Sequence, residues 1–280
     1  MSGADARERR YSVRRPLAAF CAGAAVAVLG GLIGLGGAEF RLPLLIAVFE
    51  LYPHRAVRIN LLISLATLAV SAAVRLRFTD AASLAHVSTE IVAMLAGGVM
   101  AAWIGAGALA RIPKRRIVAI IALLLAAIAM LLVVETIFAG STAVALPQGQ
   151  ALRASVALGA GLIVGAVSSL LGVAGGELII PILVFIFGVD IKTAGTASVL
   201  IATPVVLVGI ARHFLTGHYR SRSMLAYLVL PMSAGSLVGA VAGGFAAAWM
   251  PGDVLRVVLA AVLVVSAVKL MVSSPRHEKV

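Results

Sequence analysis

The chain has 280 residues, of which 62% are hydrophobic and 12% charged, and its mean hydropathy is +1.11. A soluble domain carries about 45–50% apolar and about 25% charged residues, so an ordinary globular protein and a disordered one are both excluded. The net charge of +12, from 23 Lys and Arg against 11 Asp and Glu, would suggest nucleic acid in a soluble chain. Here the basic residues gather in short loops between apolar runs. That is the pattern of cytoplasmic loops, and it accounts for the charge without a nucleic-acid partner.

Residues 1–16 are polar and basic, with Arg7, Arg9, Arg10, Arg14 and Arg15, and an apolar stretch follows from Leu17. The start of a signal peptide looks similar, but this stretch continues at full membrane length and more follow, so it reads as a retained first membrane segment. Long apolar runs cover 17–38, 56–74, 88–110, 117–137, 152–173, 193–211, 224–248 and 254–271. Two shorter runs, 42–51 and 178–189, directly follow glycine-rich breaks. At 1.5 Å per residue they are too short to cross about 30 Å of hydrocarbon as helices. The tail from Ser273 to Val280 is short and polar. The 28 glycines suit close helix packing, as at Gly97, Gly98, Gly105 and Gly107. The single cysteine, Cys21, forms no intrachain disulfide and reads as a small buried residue. His54, His213 and His218 lie in or beside loops without the spacing of a metal site, so neither a metal nor another cofactor is expected.

The two breaks match each other. GLIGLGGAEFRLPLLI (31–46) aligns without gaps on SLLGVAGGELIIPILV (169–184), an offset of 138 residues. Gly34 falls on Gly172, Gly37 on Gly175, Glu39 on Glu177 and Pro43 on Pro181. The register continues to Ala56 and Ala194, Asn60 and Ser198, Leu62 and Leu200, Ile63 and Ile201. The chain therefore reads as a duplicated unit. Its expected parts are a basic N-terminal segment (1–16), a first transmembrane repeat (17–137), an external linker (138–151), a second repeat (152–271) and a tail (272–280).

Charge sets the expected orientation. Eight plain crossings would place Arg111, Lys114, Arg115 and Arg116 outside, against the positive-inside rule. If each break instead folds a broken helical hairpin back to its own side, 17 of the 23 basic residues lie inside. Arg75, Arg77, Arg153, Lys192 and Arg256 then lie outside, and Arg41 sits at membrane depth. Both termini are cytoplasmic in this arrangement. Each half makes about three crossings plus one broken hairpin, and the odd count inverts the second half relative to the first. The expected fold is an all-α polytopic protein of two inverted repeats, an architecture common in secondary transporters.

Glycine permits an unwound segment, and unwound backbone at membrane depth must be satisfied by protein, water or substrate. Pro43 and Pro181 suit the first turn of a new helix, whose free N–H groups favour an anion. The candidate substrate site is thus Gly34, Gly36, Gly37, Gly172, Gly175 and Gly176, joined by Arg41, Asn60 and Ser198. Arg41, whose repeat mate is Ile179, has three roles open: substrate contact, neutralising Glu39, or reaching to the interface. Glu39 and Glu177 are carboxylates inside the membrane region, where a charge is expensive and usually functional. Each is a candidate to carry a coupling proton or to hold the unwound backbone. Asn60 and Ser198, with Thr196 and Thr203 nearby, face the cavity or bond between helices. Glu90 and Glu135 are expected at the interface. No clustered acid, base or metal set marks an enzyme, and the glycine runs lack the ending of a nucleotide loop.

At these motifs the chain resembles the TauE/SafE family of sulfite exporter-like membrane proteins, whose two related halves each carry a glycine-rich segment followed by a proline. G-L-I-G-L-G-G-A-E-F-R-L-P (31–43) and S-L-L-G-V-A-G-G-E-L-I-I-P (169–181) are the two copies here, with A-V-R-I-N (56–60) and A-G-T-A-S (194–198) after them. The resemblance covers essentially the whole chain. It implies movement of a small inorganic or organosulfur anion, such as sulfite or an organosulfonate, across the bacterial inner membrane. The resemblance implies export or import; export is the direction expected here, and proton coupling through the glutamates is one mode. A passive anion channel or facilitator is the alternative. The partners expected are that anion and the lipid bilayer, and a homodimer is one assembly open to it. Ala38 stands where a third glycine is common, and Arg41, Arg58 and Asn60 replace more usual small or apolar residues.

Overall fold

The structure is a computed structural model that describes residues 16–33, 37–108, 113, 123, 149–215, 224–251, 254, 257–258 and 261. The helices are α1 (Pro16–Ile33), α2 (Ala38–Ala47), α3 (Pro53–Arg75), the short α4 (Ala81–His86) and α5 (Ser88–Ala108). They are followed by α6 (Gln150–Leu171), α7 (Gly176–Pro181), α8 (Ile191–Leu215) and α9 (Leu230–Trp249). Single π-helical turns, Ile182–Ile186 and Leu225–Val229, extend α7 and precede α9. No strand occurs among the described residues.

Among the described residues, five helices are long and apolar enough to cross a membrane: His54–Arg75, Ser88–Gly105, Gln150–Ser169, Ile191–Leu215 and Leu225–Trp249. A helix of 23 residues such as α3 spans about 35 Å, enough for the hydrocarbon core. The 10-residue α2 reaches only about 15 Å. The runs expected at 117–137 and 254–271 lie, apart from single positions, outside the described residues, as does Glu135.

The offset of 138 seen in the motifs recurs in the backbone. Pro53, the first residue of α3, maps onto Ile191, the first of α8. Ile33, the last of α1, maps onto Leu171, the last of α6. Left-handed glycines precede both short helices, Gly37 at φ 70° and Gly175 at φ 83°. Left-handed residues also follow them, Glu50 at φ 51° and Gly188 at φ 69°, again repeat mates. Even one loop bond is repeated: Leu51 N donates to Leu45 O, and Val189 N to Leu183 O, both at 3.0 Å.

Packing follows the same rule. α1 lies on α9 and its mate α6 lies on α5, while α3 packs on α9 and its mate α8 on α5. Small residues four apart make the first contacts close. Gly23 backs onto the carbonyl of Met232, and its mate Gly161 onto that of Met94. Gly235 backs onto Phe20, and its mate Gly97 onto Leu158. α3 and α8 pack against each other. They run antiparallel, since Gly209 late in α8 lies beside Leu61 early in α3, while Thr79 just beyond α3 meets Thr196 early in α8.

Two expectations are corrected. The new helices begin at Ala38 and Gly176, directly after the left-handed glycines, not at the prolines. The glycine already supplies the change of direction, so Pro181 falls in the second turn. There its missing N–H interrupts the ladder, and a wider π turn follows. Cys21 is exposed on α1 rather than buried. Glu90, in the first turn of α5, is only 2% exposed and forms an ion pair with Arg153 of α6. That arginine also lies over the Phe187 ring, 5.4 Å from its centroid.

Candidate functional site

Each glycine-rich break doubles the chain back against the helix that leads into it. A Cβ on Gly37 would lie 2.9 Å from Val26 Cγ1 on α1, and a Cβ on Gly175 would lie 2.8 Å from Val164 Cγ1 on α6. Val26 and Val164 are themselves repeat mates. The left-handed φ and this close approach both require glycine at the two positions. Gly172 is also left-handed, at φ 68°, and caps α6 through its N–H to Ser168 O at 2.9 Å. A Cβ there would meet the α3 backbone, 2.7 Å from Val57 Cα. The second break is therefore pressed against the start of α3.

Asn60 ties the two breaks together. Its Nδ2 donates to Ala38 O at 2.7 Å, at the start of α2, and to Gly172 O at 2.8 Å, in the second break. Both carbonyls are thus within one amide's reach. Two acceptors on one side of the amide also settle its orientation. The Oδ1 of Asn60 is buried and has no partner among the described residues. Ser198, its repeat mate, bonds within its own helix to Gly195 O at 2.9 Å. The sequence treats these two positions as equivalent, but of the two, Asn60 is the one seen to join the breaks.

Arg41 is fully buried. Its Nη1 donates to Thr67 Oγ1 at 2.8 Å and to Ser236 Oγ at 3.0 Å, and its Nη2 to Ser64 Oγ at 3.0 Å. Thr67 in turn donates to Ile63 O at 3.0 Å. At the repeat-mate positions of Arg41, Ser64, Thr67 and Ser236 stand Ile179, Ala202, Val205 and Gly98. A Cβ on Gly98 would lie 2.7 Å from Val205 Cγ2, so that counterpart is packed and apolar. Four positions on three helices differ together between the halves.

These side chains belong to one row. Asn60, Ser64, Thr67, Ser71 and Arg75 recur along α3 at spacings of four, three, four and four, so they share about 80° of its circumference. All five are buried, the first four completely. The row climbs about 22 Å, from the breaks to the end of the helix. Ser71 Oγ and Arg75 Nε, like Asn60 Oδ1, are buried without partners among the described residues. Buried polar atoms almost always find a partner, so three on one stripe mark a place for water or a polar ligand. Arg75 Nη2 donates to Gly31 O at 2.8 Å and Leu32 O at 2.9 Å, at the end of α1.

Of the residues expected at the site, Gly37, Arg41, Asn60 and Gly172 lie on or beside α3, while Gly175 backs onto Val164 of α6 and Gly176 starts α7; all six are buried. Gly34, Gly36 and the side chains of Glu39 and Glu177 lie outside the described residues; the backbones of the two glutamates are second in α2 and α7. Thr203 bonds Val199 O at 2.7 Å within its own helix, and Thr196 stands instead near the far end of the row. Ser64, Thr67, Ser71 and Ser236 were not singled out from the sequence. The helical spacing of polar residues within the apolar run 56–74 is the signal that marks the first three. No group of three or more His, Cys, Asp or Glu residues suited to a metal occurs among the described residues.

A duplicated all-helical frame, spans long enough for a bilayer and paired broken helices joined at a buried polar row define a multi-pass membrane protein of the transporter kind. The chain belongs to the sulfite exporter TauE/SafE family, whose family model matches residues 18–270. It is accordingly a membrane transporter family member and not an enzyme. No curated protein and no solved structure matches the chain.

Proposed function

We propose that this protein is a secondary transporter that exports a small anion, such as sulfite or an organosulfonate, across the bacterial inner membrane. The anion binds where the two glycine-rich breaks meet. The single observation that carries this reading is the Asn60 bridge, with Nδ2 on Ala38 O and Gly172 O and Oδ1 left without a described partner. It ties the start of α2 to the second break at membrane depth. The first N–H groups of α2 have no helical acceptor by construction, and they attract negative charge. Arg41, one turn along α2 and held by three hydroxyls, supplies a fixed positive charge beside the breaks. Gly34, Gly36, Gly37, Gly172, Gly175 and Gly176 form the backbone cradle.

The halves are read as inverted repeats, which the antiparallel pairing of the mates α3 and α8 supports. With both termini cytoplasmic, the Arg75 end of the row opens to the outside. Glu39 and Glu177 are the proton-coupling candidates. The test is flux of sulfite, sulfoacetate, sulfate and thiosulfate in proteoliposomes, with and without an imposed pH gradient. Uphill movement of at least one of these anions that stops when the gradient collapses is the expected result. Downhill flux alone would make the protein a facilitator, and no flux of any would end the small-anion reading. Asn60→Leu, which keeps the volume and removes the bridge, should lower flux at least tenfold while the protein still folds. Unchanged flux in that variant would remove the break junction from the site.

A further inference from the structure

We propose a second anion site at the outer end of the polar row, in a pocket between Arg75, Lys192 and the hydroxyls of Thr79 and Thr196. Its ligand class is a small oxyanion of three or four oxygens. The proposal rests on the small-anion reading above and adds a station at the mouth of the path, about 22 Å of helix away from the breaks.

The pocket encloses about 70 Å³, where one water needs on the order of 10–15 Å³. That admits a compact oxyanion with residual water and excludes a bulky solute. Both halves of the chain build it. Arg75 and Thr79 come from the end of α3, and Lys192 and Thr196 from the start of α8. Gly244, Ala247 and Ala248 of α9, with Phe78, line the rest.

Its charge is one-sided. The Arg75 guanidinium is anchored by the Gly31 and Leu32 carbonyls, which carry only the partial negative charge of a helix end. Arg75 is 6% exposed, its Nε has no partner, and no carboxylate pairs with it among the described residues. Lys192 Nζ makes one long bond, to Ala248 O at 3.4 Å. The nearest acid on that element, Asp190, is committed to its own helix: its Oδ1 accepts from Lys192 N at 2.9 Å and Thr193 N at 3.2 Å. Two cations therefore face a small space that no carboxylate lines among the described residues.

The hydroxyls complete the chemistry. Thr79 Oγ1 and Thr196 Oγ1 lie 2.7 Å apart, and each also lies within 3.1 Å of a carbonyl one turn back, Arg75 O and Lys192 O. Two protons serve three contacts, so one hydroxyl donates across the pair. That proton can turn to an entering oxyanion, while the other hydroxyl keeps its carbonyl. The pair spans the first and second halves, so an anion bound there touches both.

The test uses the full chain in right-side-out and inside-out membrane vesicles, with sulfite as the transported probe. Lys192→Gln, at an exposed position, should raise the half-saturating sulfite concentration at least fivefold from the pocket side and leave it within twofold from the other. Thr79→Val with Thr196→Val should act in the same direction. Equal half-saturation from both sides in these variants, with flux intact, would overturn the proposal.

A binding measurement separates this from the parent reading. In a Cys21→Ser background, Ala248→Cys is modified by a thiol reagent in detergent, with sulfate as the unreactive probe. Slower modification in sulfate, abolished by Lys192→Gln, supports the pocket even if no sulfite flux is found. Equal rates with and without sulfate overturn it even if flux is found. Protection by phosphatidylglycerol but not by sulfate would assign the pocket to a lipid phosphate and also overturn the free-anion proposal.

Discussion

Two glycines on the same helix give the sharpest test of how this fold is held together. Gly159 and Gly165 both lie in α6. A Cβ on Gly159 meets nothing within 4 Å. A Cβ on Gly165 would fall inside the carbonyl oxygen of Gly98 on α5, 2.7 Å from its carbonyl carbon and 2.8 Å from its Cα. Those atoms are backbone, so no side chain can turn aside. Restoring ordinary contact forces α5 and α6 apart by roughly 1 Å, which disturbs every contact along the pair, and overpacking of this kind costs about 1–3 kcal/mol or more. Alanine in place of glycine also favours the helix by about 0.8–1 kcal/mol, and this gain is common to both sites. Gly159→Ala should therefore be neutral or stabilising by up to about 1 kcal/mol, and Gly165→Ala should be less stable than it by about 1–3 kcal/mol. Thermal or SDS unfolding in the same detergent reads the difference directly. Equal stability of the two variants would refute the claim that backbone-on-backbone contact sets the α5–α6 distance. The mate of Gly161, Gly23, gives an independent repeat of the experiment at the α1–α9 contact.

Arg153→Met should cost about 2–4 kcal/mol, because it leaves the Glu90 carboxylate buried; the Arg153 side chain is 23% exposed, which holds the loss below that of a fully buried pair. Adding Glu90→Gln should recover at least half of it in the same unfolding assay, and no recovery would show that the ion pair is not the cause. Arg41→Ile should destabilise by about 1–3 kcal/mol as three charge-assisted bonds are lost. Adding Ser64→Ala, Thr67→Val and Ser236→Gly copies the other half's residues and should return much of that stability, while flux of the transported anion stays low. A quadruple variant no more stable than Arg41→Ile would show that the four positions do not form one packing unit.

Most of the frame was legible in the sequence, and what was not has identifiable causes. The 138-residue offset needs only a gapless match of Gly, Glu and Pro, and the helix ends and packing partners repeat at that offset. Run length also separated the short α2 from the spanning α3, because a bilayer sets a minimum for one and not the other. The helix starts were misplaced because proline fits a first turn well, while a left-handed glycine starts a helix without announcing where. The ion pair of Glu90 is not legible in the sequence either. Its other member, Arg153, is 63 residues away, and no local pattern shows a partner at that distance. Arg41 was noticed as an asymmetry, but its hydroxyl partners come from α3 and α9, and only the three-dimensional arrangement brings Ser236 within 3.0 Å of it.

The functional weight of the site rests on where the duplication is broken. A protein made of two matched halves would present two equivalent faces to its substrate if every position matched. The α3 row reads Asn60, Ser64, Thr67, Ser71 and Arg75, while the mates on α8 are Ser198, Ala202, Val205, Gly209 and His213. Backbone conformation, helix ends and small-residue contacts are kept between the halves, so the polar substitutions are not consequences of a different fold. They concentrate on one helix face and extend to Arg41 and Ser236, which reach that face from other elements. Each buried polar group on such a face costs stability unless it is satisfied. Five in a row, three with unpartnered atoms among the described residues, are therefore unfavourable for folding alone. The solute path proposed along α3 would account for that cost; on α8 only the middle of the corresponding row, Ala202, Val205 and Gly209, is apolar.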